Sequence, residues 1–193
     1  MADAGRVIAG TARGIRLEAP GPATRPLADR LKQTLFAILE PDLGGARVLD
    51  LFAGSGAAGI EALSRGAAHA TFVERDRGAA AVIATNVART HLAGTRVRIV
   101  RADALGWLAG PDPAGLGPFD IVIVDPPYAE TGLLAAALVA LDALGPNLAT
   151  AARVVAKHFW RDPPPARVGL LASERERRFG ETMLTFYRRQ EDR

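Results

Sequence analysis

From Arg47 onward the chain alternates short apolar runs with glycine turns and helix-patterned stretches, and this alternation limits the fold more than any other feature. The apolar runs are 47–51 (RVLDL), 70–74 (ATFVE), 96–100 (RVRIV), 120–124 (DIVIV) and 152–156 (ARVVA). Helical spacing lies between them at about 57–65, 77–91, 104–109 and 131–144. Strands with continuous apolar runs need cover on both faces, so the pattern predicts an α/β fold with a mainly parallel sheet between two helical layers. The segment 173–189 reads as two strands joined near Phe179-Gly180, an antiparallel hairpin at one edge. Ahead of the repeating part, 6–17 (RVIAGTARGIRL) reads as two short strands around a turn. Leu27 to Glu40 follows with helical spacing, and Pro41 and Gly44-Gly45 are expected to stop that helix. The expected organisation is therefore an N-terminal hairpin-and-helix extension over 1–40 and an α/β domain over 41–193.

Composition removes several classes of function. A length of 193 residues suits one compact domain, and 49% hydrophobic residues suffice for a sizeable core. There is no cysteine, which excludes disulfides, thiolate catalysis and cysteine metal sites, and the three histidines are scattered, so no metal is expected. No apolar run approaches the roughly 20 residues that span a bilayer, and the first residues lack a signal-peptide pattern. A cytoplasmic protein with no membrane partner is the expectation, and nothing in the sequence demands more than a monomer. The net charge is only +3, yet the pI is about 9.9, because nearly all of the cations are arginine. Arginine's planar fork of donors suits phosphate recognition. A coding bias toward Arg, Ala and Gly accounts for part of that count.

The stretch Asp50-Leu-Phe-Ala-Gly-Ser-Gly56 joins the first strand of the repeat to the next helix. Glycines at such a turn let the backbone approach a ligand closely, at the carboxyl end of the strands where doubly wound sheets bind ligands. The run GSGAAG at 54–59 also fits the dinucleotide pattern G-x-G-x-x-G, which leaves a nicotinamide cofactor open. Asp50 argues for a different ligand: its carboxylate would repel a pyrophosphate and would meet the methionine ammonium of S-adenosylmethionine. Glu74 follows 24 residues later at the next strand end, where a carboxylate can accept both ribose hydroxyls. Asp103, after the third strand, is placed to accept from an adenine amino group, with the Ala104 backbone offering a donor to the ring. The same Asp103 could instead cap a helix.

Asp125-Pro126-Pro127-Tyr128 directly follows the strand Ile121-Val122-Ile123-Val124. Prolines there enforce an extended, rigid backbone. Methylating an amino group on an aromatic ring is difficult because the nitrogen lone pair is delocalised into the ring. A carboxylate at Asp125 and the Pro126 carbonyl can each accept one N–H, holding the nitrogen in line for attack. Such positioning supplies several kcal/mol, with about 7–11 as the ceiling for fully oriented reactants. Tyr128 offers a face for stacking an unpaired base, for roughly 1–3 kcal/mol.

These residues, with others along nearly the whole chain, resemble the bacterial 16S ribosomal RNA guanine-N2 methyltransferases of the RsmD type. The resemblance runs through R-V-I-A-G-x-x-R-G-I-R-L at 6–17, T-R-P-x-x-D-R-x-x-x-x-L-F at 24–36 and L-D-L-F-A-G-S-G-A-x-G-I-E-A-L-S-R-G-A at 49–67. It continues through F-V-E-x-D at 72–76, V-D-P-P-Y at 124–128 and G-x-T-x-L-x-x-Y at 180–187. The resemblance implies a Rossmann-like class I methyltransferase fold with a small N-terminal β-hairpin extension. It implies S-adenosylmethionine as cofactor, S-adenosylhomocysteine as product, and 16S RNA in the small subunit or its assembly intermediate as partner. Asp50, Phe52, Gly54, Ser55, Gly56, Glu74, Asp103 and Ala104 would line the cofactor site. Asp125, Pro126, Pro127 and Tyr128 would hold the base, and Arg6, Arg13, Arg16, Arg25 and Arg30 would face RNA phosphates. Two places depart from the family pattern. Leu27-Ala28 stands where Thr-Thr or Thr-Ser is usual, and Lys157-His158 stands where a glutamate is common. Two other readings keep the fold: an amino methyltransferase acting on another RNA or DNA base, and a non-catalytic RNA-binding assembly factor.

Overall fold

In the computed structural model, which describes residues 3–21, 28–130 and 132–191, the N-terminal strands are shorter and farther apart than their sequence suggests. β1 (Asp3–Arg6) and β2 (Arg16–Glu18) form an antiparallel pair. Residues 7–15 make an irregular loop instead of continuing the ladder, because Gly10 and Gly14 adopt left-handed φ values of 84° and 86°. Val7 closes this loop by donating to the Ile15 carbonyl at 2.9 Å and accepting from Gly14 N at 2.8 Å. Helix α1 (Asp29–Leu43) corrects a second expectation, since it runs through Pro41 and ends only at Gly44-Gly45. Pro41 forfeits a single N–H bond in the last turn, and the buried Leu39 and Leu43 on either side hold that turn against the core.

The remaining elements alternate as the sequence predicts: β3 (Arg47–Leu51), α2 (Ala57–Ser64), β4 (His69–Val73), α3 (Arg77–Arg89), β5 (Val97–Val100), α4 (Ala104–Leu108), β6 (Phe119–Val124), α5 (Leu133–Asp142) and β7 (Leu148–Phe159). β8 (Arg167–Val168), β9 (Leu171–Phe179) and β10 (Thr182–Arg189) complete an eight-stranded sheet in the order β5-β4-β3-β6-β7-β10-β9-β8. The first five of these strands in spatial order pair in parallel and the rest antiparallel, so the C-terminal hairpin lies toward one edge as expected. β7 is twelve residues long where the sequence pattern shows five, because β10 pairs with it from Arg153 to Phe159 and Phe119 of β6 pairs with it at Leu148. Successive residues face opposite layers. Leu49, Leu51, Val122, Val124 and Val154 pack against α4 and α5. Val48, Ile121, Ile123 and Val155 pack against α1 and α2. Among the described residues no helix is long and apolar enough to cross a membrane.

Helix α2 is buried along its whole length, wedged between the sheet and the N-terminal loop. Its small residues make this possible. A Cβ on Gly59 would come within 2.3 Å of the Phe72 ring. The polar exception, Glu61, is fully buried and accepts from Ile8 N at 2.7 Å and Ala9 N at 3.0 Å. One turn on, Ser64 Oγ accepts from Ala12 N at 2.9 Å and donates to the Ala9 carbonyl at 2.6 Å. Gly10 passes so close to the Ser64 carbonyl that a Cβ there would overlap it, at 1.7 Å. Asn86 on α3 ties β2 down from the other side, bonding both the N–H and the carbonyl of Glu18. The N-terminal loop is therefore fixed by polar side chains of the α/β layer as well as by Val7, Ala12 and Leu17 in the apolar contact.

Replacing Glu61 with Ala leaves two backbone donors without their acceptor and Arg65 with Glu40 alone, at a cost of about 1–3 kcal/mol for each buried group left unpaired. The expected result is a loss of about 3 kcal/mol in urea unfolding, with faster hydrogen exchange at Ile8 and Ala9. Unchanged protection of those two amides would show that Glu61 does not hold the loop.

Candidate active site

The strand order reverses at β3: the chain moves outward through β4 and β5, then returns to place β6 on the other side. Connections leave a crevice at such a reversal, at the carboxyl ends of the two central strands. A cleft of about 790 Å³ opens there, lined by the loops after β3, β4, β5 and β6. Every residue expected to line a cofactor site borders it or shapes its wall. Asp50, Phe52, Gly54, Ser55, Glu74, Asp103 and Ala104 line it directly, and Gly56 caps α2 behind it.

The loop after β3 turns through left-handed backbone at Phe52 (φ 61°), Gly54 (φ 55°) and Gly56 (φ 76°). Glycine adopts this conformation freely, whereas at Phe52 it is strained, and strain of this kind concentrates at ligand-binding loops. Carboxylates hold the turn in shape. Glu74 accepts from Gly54 N at 2.8 Å and from Asp76 N at 2.9 Å. Asp50, buried, accepts from Gly59 N at 2.9 Å. Burial pushes the Asp50 carboxyl up to about 8; the Gly59 N–H opposes this, while the negative charges of Asp125 and Glu74 add to it. Asp50 is thus a buried carboxyl in the cleft wall with a raised proton affinity.

Asp103 takes the helix-capping role that the sequence left open. It caps α4, accepting from Gly106 N at 2.9 Å, and it borders the cleft. Asp76 plays the same double part at the start of α3, accepting from Ala79 N at 2.8 Å, and was not singled out from sequence. Its position as an acidic residue directly before a helix was the available signal.

Across the cleft, Asp125 follows β6, and its N–H points to the Leu51 carbonyl of β3 at 3.4 Å. Lys157 on β7 donates to Asp125 Oδ1 at 2.6 Å. Burial raises the Asp125 carboxyl, and the Lys157 ammonium opposes the rise. Among the described residues Asp125 Oδ2 and the Pro126 carbonyl accept no hydrogen bond. The Pro127 carbonyl, by contrast, accepts from Glu130 N at 3.1 Å, so two consecutive prolines have different roles. Tyr128 is exposed, with its hydroxyl 3.2 Å from Thr182 Oγ1 on β10 and its ring centroid 5.2 Å from Lys157 Nζ. A smaller hollow of about 110 Å³, walled by Pro126, Tyr128, Lys157, Phe159 and Pro163–Pro165, adjoins this group. An Arg75–Glu130 ion pair links the loop after β4 to the loop after β6 at the cleft mouth.

Sequence reasoning left the residues after the fifth strand without roles, and the fold separates them. Lys157 points into the cleft. His158 is buried and does not line the cleft, bonded to Thr185 Oγ1 at 2.9 Å and to the Phe159 carbonyl at 2.9 Å. Trp160 packs with Arg161 and Arg178, whose guanidinium carbons lie 4.8 and 3.8 Å from its ring centroid. The five arginines expected to face phosphate are not equivalent. Arg6 pairs with Asp29 at 3.1 Å and Arg16 with Asp3 at 2.8 Å. Arg13 and Arg30 are exposed and make no ion pair among the described residues, and Arg25 lies outside those residues.

A family profile described as conserved hypothetical protein 95 matches residues 5–188. YlbH of Bacillus subtilis (strain 168) is 37% identical over 185 residues, covering 95% of this chain and 98% of that protein. Ribosomal RNA small subunit methyltransferase D of Escherichia coli (strain K12) is 45% identical over 130 residues. That match covers 67% of this chain and 62% of the relative, so it spans less than two thirds of the relative's length. The solved structure of yhhF from Escherichia coli superimposes with a TM-score of 0.84 at 35% identity, covering 96% of this chain and 97% of the other. With this profile, these identities and the site geometry in agreement, the chain belongs to the conserved hypothetical protein 95 family, the RsmD-type methyltransferases.

Proposed function

We propose that this protein uses S-adenosylmethionine to methylate the exocyclic N2 amino group of one guanine in 16S ribosomal RNA. The observation that carries the reading is the convergence of two unsatisfied acceptors, Asp125 Oδ2 and the Pro126 carbonyl, on a cleft whose far side is lined by Asp50 and Glu74. The name of the Escherichia coli relative supports small-subunit ribosomal RNA as the substrate class.

The residues fit the cofactor. Asp50 is a buried carboxylate whose proton is displaced in favour of an ammonium, Glu74 keeps acceptor capacity for ribose hydroxyls, and Asp103 with the Ala104 backbone faces the adenine end. S-adenosylmethionine, when bound, supplies an electrophilic sulfonium methyl group. The protein's own work is positional. Asp125 Oδ2 accepts one N–H of the amino group and the Pro126 carbonyl the other, which favours a pyramidal nitrogen whose lone pair leaves conjugation with the ring and points into the cleft. The Asp125 carboxylate then stabilises positive charge on that nitrogen and accepts its proton. Tyr128, pinned by Thr182, gives the base a stacking face. Residues 1–40, with Arg6, Arg13, Arg16, Arg25 and Arg30, form the RNA-binding extension, and the protein acts as a monomer.

Small subunits from cells lacking the modification are expected to receive labelled methyl as N2-methylguanosine, identified by mass spectrometry of the digested RNA. Label in adenine, DNA or protein instead would sink the reading. Asp125→Asn is expected to lower the rate by about 10²–10³-fold with RNA affinity retained, since it removes charge stabilisation but not the fold. If neither the wild type nor the variant methylates anything while both bind RNA, an RNA-binding factor is the better description.

A pH dependence follows from Asp50. The free protein carries this carboxyl protonated below about 8, and an ammonium requires it ionised. Affinity for S-adenosylhomocysteine is therefore expected to rise between pH 6 and 8, by up to about tenfold per unit, and to level off above. Calorimetric titration checks this, and Asp50→Asn should flatten the profile while weakening binding.

A further inference from the structure

The chain has only two lysines among its 24 basic residues, and both are held against oxygen inside the protein. Lys32 supports the N-terminal strand through the Arg6 carbonyl. Lys157 lies in the cleft beside Asp125, with both side chains mostly buried at 16% and 17% exposure. A positioning carboxylate has no need of so close a partner, because an ammonium at 2.6 Å occupies one of its two oxygens. That occupation leaves a specific row of groups facing the cleft. Lys157 Nζ offers donors, Asp125 Oδ1 retains acceptor capacity, and Asp125 Oδ2 is a free acceptor among the described residues.

Donor, acceptor, acceptor is the row that cytosine presents to guanine. Guanine's pairing edge runs O6, N1–H, N2–H: acceptor, donor, donor. Adenine places its N1 acceptor where guanine has N1–H, and cytosine places N3 and O2 acceptors there, so each would set a lone pair against a carboxylate oxygen. We infer that the Lys157–Asp125 pair reads the pairing edge of a flipped-out guanine as a cytosine would, with Lys157 donating to O6 and Asp125 accepting from N1–H and N2–H. The inference rests on the proposed guanine-N2 activity and adds to it the reason the site selects guanine. Once its pairing edge is engaged in this way, the amino nitrogen still has its second N–H for the Pro126 carbonyl. Lys157 suits the task because its compact ammonium can bridge Asp125 and O6, whereas a planar guanidinium would take both carboxylate oxygens and cover the edge. The site thereby matches the general rule that extruded bases are identified by hydrogen bonds to their pairing edge.

The test uses the full-length protein and reconstituted small subunits lacking the modification. The methylated position is located first with the wild-type protein. Subunits are then prepared with either guanine or 2-aminopurine at that position; 2-aminopurine keeps the 2-amino group and lacks O6 and N1–H. Rates are measured for the wild type, Lys157→Met and Lys157→Gln, with thermal melting as the control for folding. The wild type should prefer guanine strongly, and in either variant the guanine to 2-aminopurine rate ratio should fall about 30-fold, the worth of one hydrogen bond from a charged donor. A ratio that stays at the wild-type value in the folded variants, whatever happens to the two rates, overturns the inference while leaving guanine methylation intact. If the wild type methylates a base other than guanine, the functional reading itself fails, and the identity of the nucleoside tells the two failures apart.

Discussion

Asp50 pairs with Ile123 across the parallel β3–β6 ladder, and this register carries two carboxylates to the same end of the sheet. Asp50 stands one residue short of the end of β3, and Asp125 one residue beyond the end of β6. A one-residue slip would turn every side chain of β6 to the opposite face, burying the wrong set against α4 and α5. The hydrophobic layers therefore enforce the register, and the register builds the site. Everything chemical in the cleft depends on it, including the reach of Lys157, whose neighbour Ala156 pairs with Val124 on the next strand.

Charge is segregated in this protein. The chain is basic, yet five carboxylates, Asp50, Glu74, Asp76, Asp103 and Asp125, border one cleft, where Arg75 and Lys157 are the cations. A basic exterior suits a polyanion. An acidic, partly buried crevice suits a cationic small molecule, and the raised Asp50 carboxyl records the cost of burial, to which the negative charges of Asp125 and Glu74 add. Glu74, Asp76 and Asp103 limit that cost by accepting backbone N–H groups, so the same carboxylates shape the loops and polarise the cleft.

The N-terminal loop also explains residues that a reading for catalysis passes over. Glu61 and Ser64 lie in the long motif 49–67, a few residues after the glycine turn, and they touch no part of the cleft. They hold the segment that carries Arg6, Arg13 and Arg16 onto α2. Gly10 and Gly59 serve the same packing, one against the Ser64 carbonyl and the other against Phe72. The motif is thus two structures in one stretch: a ligand turn at its start and a docking face for the N-terminal segment at its end.

Periodicity alone determined the α/β alternation, the parallel core and the C-terminal hairpin, because apolar runs at strand length can only be buried between two layers. Residue chemistry alone determined the glycine turn, Asp50, Glu74 and Asp125-Pro-Pro-Tyr128, because each sits at a strand end, where sequence order and spatial position coincide. The bounds of the N-terminal strands and the end of α1 differ from the sequence pattern, since local signals at Gly10, Gly14 and Pro41 are outweighed or redirected by contacts with distant residues. Only the tertiary structure decided that Lys157 belongs with Asp125, that Glu61 is a buried acceptor, and that Arg6 and Arg16 have acidic partners nearby. Those contacts join residues 32, 53, 23 and 13 positions apart in the chain. No spacing rule reaches across such gaps: layer packing, with the desolvation that makes a buried charge find a partner, decides the Lys157 and Glu61 contacts, and the placing of the N-terminal strands decides the two exposed ion pairs.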